Sequence, residues 1–98
     1  MSVKILAVCA NAEILKVILR LINANENWSA TGSSSPSDAI ELLLTGDFDL
    51  LLIGSGLTEA EEDNLIEYVQ GNRPDTRIIK HYGGGSGLLS AEIYQALT

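Results

Sequence analysis

Cysteine occurs once, at Cys9, so the chain can form no internal disulfide, which fits a reducing cytoplasm. Basic residues are scarce: 6 Lys and Arg against 13 Asp and Glu leave a net charge of −7. That balance argues against a nucleic-acid binder, because phosphate contacts need clustered cations. It argues equally against an anionic membrane surface. One Phe, one Trp and three Tyr leave the core to Leu, Ile, Val and Ala. No apolar run approaches the roughly 20 residues of a membrane span. The start, Met1 to Lys4, runs directly into a short apolar segment with no cleavage-type site, so no signal peptide is expected. A single histidine, His81, makes no metal site by itself. No metal and no cofactor is expected.

What is present is enough for one domain over residues 1–98, with 46% apolar residues and no internal repeat or linker. Strand and helix patterns alternate four times. Val3 to Val8 is a nearly continuous apolar run, as in a strand covered on both faces. A helix from Ala12 to Ala24 follows, with Asn11 as N-cap and Glu13, Lys16 and Arg20 as its polar stripe. Trp28 to Gly32 reads as a short edge strand. Ser35 and Pro36 open a second helix that Gly46 stops after Thr45.

Asp49 to Ile53 lacks polar alternation and should be the most buried strand. Thr58 and Glu61 have capping-box spacing, opening a helix from Glu59 to Gln70 that Gly71 closes and Pro74 prevents from resuming. Its acidic run (Glu59, Glu61, Glu62, Asp63, Glu67) reads as a solvated face that complements the helix dipole. Thr76 to Lys80 is a fourth strand. After the glycine cluster Gly83 to Gly87 comes a last helix with Leu88, Leu89, Ile93 and Leu97 apolar.

Such a repeat implies a three-layer α/β/α open parallel sheet with right-handed crossovers. The expected strand order is 2-1-3-4, with the switch point between the first and third strands. Ligand chemistry in such sheets sits at the C-terminal ends of the strands. Those ends carry Cys9 to Asn11, Gly54 to Gly56, and His81 to Gly87.

Val3 to Tyr82 resembles the receiver domain of two-component response regulators, shortened by one unit. Ile5 to Val8 with Asn11 to Leu15 is similar to that family's first strand and helix start, Asp47 to Ile53 to the approach to its phosphoacceptor, and Ile78-Ile79 to its fourth strand. The resemblance implies a flavodoxin-like fold and a signalling role, but the functional positions are degenerate. The acidic pair that holds Mg²⁺ aligns with Cys9 and Ala10, the phosphoacceptor aspartate with Gly54, and the responding hydroxyl with His81 or Tyr82. The fifth strand, with its lysine, has no counterpart. A hard cation needs oxygen ligands and an acyl phosphate needs a carboxylate nucleophile, so conventional phosphorylation is not expected.

Three functions follow. The first is a non-phosphorylatable, non-enzymatic pseudo-receiver in the cytoplasm that docks a protein partner or forms a homodimer, with the fourth strand as an open edge. The second is a small-anion or nucleotide sensor built from Asn11, Gly54, Ser55, Gly56, His81, Gly83, Gly84, Gly85 and Ser86. Convergent glycine amides and a helix N-terminus attract anions there, although the same glycines also serve as a turn. The third is a phosphocarrier through Cys9, since Lys4 to Cys9 resembles the start of the B component of sugar phosphotransferase systems. Only Ala10 and Asn11 precede the helix, where that family needs a longer phosphate-cradling loop, and Cys9 otherwise reads as a small buried hydrophobe. His81 could act as a base or anion contact, but no acidic partner is visible in the sequence.

Overall fold

The computed structural model describes residues 3–81 and 86–97. Four strands, β1 (Val3–Val8), β2 (Trp28–Ser33), β3 (Leu50–Ile53) and β4 (Arg77–Lys80), alternate with α1 (Ala12–Asn23), α2 (Pro36–Thr45), α3 (Glu59–Asn72) and α4 (Ser86–Leu97). The sheet is parallel throughout, in the expected order β2-β1-β3-β4. Ile5 lies beside Leu50 and Ala30, and Leu50 beside Arg77.

The unbroken apolar runs have a direct structural cause. Ile5, Ala7, Leu50 and Leu52 point to one face and pack with Leu15, Ile18 and Ile22 of α1 and Leu89 and Ile93 of α4. Leu6, Val8, Leu51 and Ile53 point to the other and pack with Ala39 and Leu43 of α2 and Leu65 and Val69 of α3. All four β3 residues are wholly buried. With successive side chains alternating across a sheet covered on both faces, residues 5–8 of β1 and all of β3 leave no position for a polar residue, while Lys4 near the start of β1 is exposed.

Local signals hold where they rest on capping chemistry. Asn11 Oδ1 accepts the amides of Glu13 (3.0 Å) and Ile14 (3.1 Å). Ser35 caps α2 with Pro36 in its first turn, and Gly46 ends it. The Thr58–Glu61 capping box is complete, with contacts of 2.9 and 3.2 Å.

Several boundaries differ from expectation by a residue or two: α1 ends at Asn23, and β3 and β4 begin at Leu50 and Arg77. Gly71 does not close α3, which continues to Asn72. The stop is instead Pro74, which drives Arg73 out of the helical region (φ −136°, ψ 64°). β2 runs one residue further, to Ser33, because the Cys9 amide donates to the Ser33 carbonyl (3.0 Å). Ser86 and Gly87, expected in a glycine loop, lie in α4. Gly71 therefore sits in an exposed helical turn, with nothing within 4 Å of where a Cβ would stand. Gly71→Ala is expected to stabilise the fold by about 0.5–1 kcal/mol through reduced backbone entropy, measurable as a raised urea midpoint at unchanged m.

The acidic run on α3 is not uniformly solvated. Glu62 is buried, and its Oε1 lies 3.4 Å from Lys80 Nζ at the end of β4. Arg73 crosses to the C-terminus of α2, where Nε donates to the Leu43 carbonyl (3.1 Å) and Nη2 to that of Leu44 (3.4 Å), while Nη1 meets Asp47 at 3.1 Å. A cation on the last carbonyls of a helix satisfies orphan acceptors and opposes the negative end of its dipole. Among the described residues no helix is long and apolar enough to cross a membrane.

Candidate functional site

β1 leads outward to β2 on one side, while β3 lies on its other side, so the crossovers diverge between β1 and β3. Loops that leave the C-terminal ends of such strands in opposite directions open a crevice there, the usual ligand site of the architecture. Here the two loops close on each other. The Gly54 amide donates to the Val8 carbonyl (2.7 Å) and the Ala10 amide to the Ser55 carbonyl (3.2 Å). The Cys9 thiol donates to the carbonyls of Ser55 (3.3 Å) and Asn11 (3.5 Å).

Two glycines make this approach feasible. A Cβ on Gly54 would stand 3.0 Å from Cys9 Cβ and 3.2 Å from its Sγ. Gly56 has φ +97°, and its Cβ would meet that of Ala10 at 2.8 Å. Both positions are thus tied to glycine, one by crowding and the other by crowding together with left-handed backbone.

The structure brings Cys9, Ala10, Asn11, Gly54, Ser55 and Gly56 into one cluster. His81 joins it through the backbone, since its amide donates to the Ile53 carbonyl (2.8 Å). Ser86 is the first residue of α4. Tyr82, Gly83, Gly84 and Gly85 lie outside the described residues.

Cys9 is wholly buried, so its sulfur is packed as a small core side chain with its S–H engaged by carbonyls. The Asn11 side-chain oxygen is committed to the α1 cap. The nearby acids do not reach the crevice: Asp47 and Asp49 stand at the opposite, N-terminal end of β3. Asp47 pairs there with Arg73, and Asp49 Oδ2 accepts the Lys4 amide at 2.9 Å. Among the described residues no group of three His, Cys, Asp or Glu is placed to hold a metal ion.

His81 does have an acidic partner, which corrects the sequence reading. Its Nδ1 lies 2.9 Å from Oε1 of Glu92 on α4, and the His81 ring is buried. The two are eleven residues apart. The only signal in the sequence is that Glu92 immediately precedes the core residue Ile93 on an amphipathic helix, which places it near the sheet side. Lys80 likewise carries no site signal in the sequence: it ends the last strand, and its partner Glu62 lies within an acidic run on α3.

No family model and no curated protein matches the chain. Solved structures do. A CheY-like response regulator receiver domain from Methanospirillum hungatei is 21% identical, covered over 98% of this chain and 76% of that one, with a TM-score of 0.75. The chemotaxis protein CheY4 of Vibrio cholerae is 11% identical over 98% of this chain and 99% of that one, with a TM-score of 0.84. An uncharacterised protein from Neptuniibacter caesariensis is 18% identical over 97% and 87%, with a TM-score of 0.83. At these identities the likeness is one of fold, and it agrees with the strand order and the helix layers. The chain is a receiver-like α/β domain, carrying the fold of response-regulator receivers on four parallel strands.

Proposed function

We propose that this domain is a regulatory module of signal transduction that acts through protein contact and takes up no phosphoryl group. The observation that carries the reading is Gly54. It stands at the end of β3, where the receiver resemblance places the phosphoacceptor, and it is packed against Cys9 with its amide already donating to Val8. A carboxylate nucleophile is missing and the space for one is filled. The anion-sensor alternative draws on amides at the same edge, and those of Gly54 and Ala10 are already spent within the protein. The phosphocarrier alternative asks for an accessible thiolate, whereas Cys9 is buried and donates its proton to carbonyls. Neither chemistry is favoured, and the module is read as non-enzymatic.

The test is incubation with Mg²⁺ and acetyl phosphate, followed by intact mass and amide NMR spectra. The expected result is no mass gain and unmoved amides at Cys9 to Asn11 and Gly54 to Gly56. Uptake of a phosphoryl group, or saturable shifts at those amides, would sink the reading.

A further inference from the structure

We propose that the groove between β2 and α2 binds a basic segment of a protein partner, one that sets arginine beside aliphatic side chains. The proposal rests on the protein-contact reading above. The groove has an open volume of about 580 Å³, within the range of ligand clefts. Leu15 of α1 and Leu42 of α2 form its apolar walls, and Gly32 near the end of β2 forms its floor. Every residue that lines it lies between Leu15 and Thr45.

Gly32 shapes the apolar side of this groove. A Cβ there would stand 2.6 Å from Leu19 Cδ1 and 3.3 Å from Leu15 Cδ1. Without one, the leucines of α1 come down onto the strand. Further along β2, the outward amide of Trp28 donates to the Asn25 carbonyl (3.1 Å), and that of Ala30 to Asn23 Oδ1 (2.9 Å). Local bonds of this kind blunt a strand against further pairing, so recognition in the groove falls to side chains.

Charge decides which side chains fit. Asp38 and Glu41 stand on the α2 wall at i and i+3, and both are exposed. Neither has an ion pair among the described residues, whereas Asp47 takes Arg73 and Glu62 takes Lys80. The reason is in the sequence: no Lys or Arg occurs between Arg20 and Arg73, a stretch that holds most of the 13 acids. On α1, Lys16 is turned to Glu13 of its own helix at 3.9 Å.

Two carboxylates beside aliphatic walls match a cation carried on an apolar stem. Arginine fits better than lysine, because its guanidinium is weakly hydrated and presents a planar fork to carboxylates. Leucines next to it cover Leu15 and Leu42. A second copy fits less well, since a net charge of −7 opposes self-association through an acidic wall.

The test titrates the full ¹⁵N-labelled chain with an acetylated arginine–leucine peptide. Glutamate–leucine and arginine–serine peptides of equal length are the controls. The expected result is saturable amide shifts at Leu15 and residues 32–34 and 38–42, with both controls bound about tenfold more weakly. Asp38→Asn with Glu41→Gln should weaken the arginine–leucine peptide about three- to tenfold. Asp63→Asn with Glu67→Gln makes the same charge change at exposed positions of α3 and should alter binding by less than about twofold. Equal weakening by both double variants would mean attraction to net charge alone and overturns the proposal. So does the absence of shifts in the groove, or binding of either control as tight as that of the arginine–leucine peptide. Spermidine moving the same amides at the same concentration assigns the groove to a small polyamine, and shifts that grow with protein concentration without peptide assign it to a second copy. Either also overturns the proposal. All of these outcomes leave the phosphate-free reading standing, since that is judged on acetyl phosphate uptake and the crevice amides.

Discussion

Gly54→Asp is expected to lower stability by about 3–5 kcal/mol and to give no phosphorylatable protein. Restoring the missing carboxylate is the obvious way to reawaken a receiver-like edge, and the packing forbids it. The new Cβ would stand 3.0 Å from Cys9 Cβ, tighter than nine in ten real Cβ contacts, and the position is buried. Both neighbours are backbone-locked, Cys9 through its amide to Ser33 and Gly54 through its amide to Val8, so neither can retreat without breaking the sheet end. The carboxylate would also face a thiol and carbonyl oxygens, with no cation within the cluster to offset it. Burying an unpaired charge adds to the steric cost.

Gly54→Ala isolates the steric part and should cost about 1–3 kcal/mol. Cys9→Gly removes the obstructing atoms, so the Gly54→Ala cost should shrink in that background. Urea unfolding of the four proteins in this cycle gives the coupling directly. Full additivity of the two substitutions would show that the crevice yields, and with it the argument that this edge is closed by packing would be lost.

The double substitution Leu51→Ala with Leu52→Ala is expected to leave no folded protein at 25 °C. Each leucine is wholly buried, and each faces a different core: Leu51 among α2 and α3, Leu52 among α1 and α4. A buried Leu→Ala change costs about 2–5 kcal/mol, the lost transfer free energy plus the cavity left behind. Two such changes on opposite faces together cost about 4–10 kcal/mol, comparable with the roughly 5–15 kcal/mol that holds a domain of this size together. Each single variant should remain folded with a lowered urea midpoint. Ile78→Ala on β4 should cost clearly less, since Ile78 is only half-buried. Circular dichroism showing a native-like double variant would mean that the two faces are not independent cores.

Much of the fold was legible because its signals are local. Strand runs without polar residues mark a sheet covered on both sides. Asn11, Ser35 and Thr58 mark helix starts, because a side-chain oxygen one turn ahead of free amides satisfies them whatever surrounds it. Gly71 misled for the same reason: glycine is a common helix stop, but the stop here came from the proline three residues on.

The site was legible in part. The composition of the crevice loops could be read from the chain, including the absence of a carboxylate at Gly54. Their closure could not, because it depends on the register of β1 against β3, which brings Cys9 against Gly54 and Ser55. The His81–Glu92 and Lys80–Glu62 pairs join residues on different elements, and no spacing rule reports such meetings.

The sequence by itself determined the alternation of elements, the layers and the chemistry lacking from the sheet edge. Periodicity and capping act over a few residues, and a missing side chain is missing in any fold. Only the tertiary structure decided that the crevice is filled rather than empty, that Glu62 and His81 are buried with partners, and that outward amides of β2 meet local acceptors. Each of those depends on which backbone groups and side chains long-range packing brings together, which is a property of register and layer rather than of neighbouring residues.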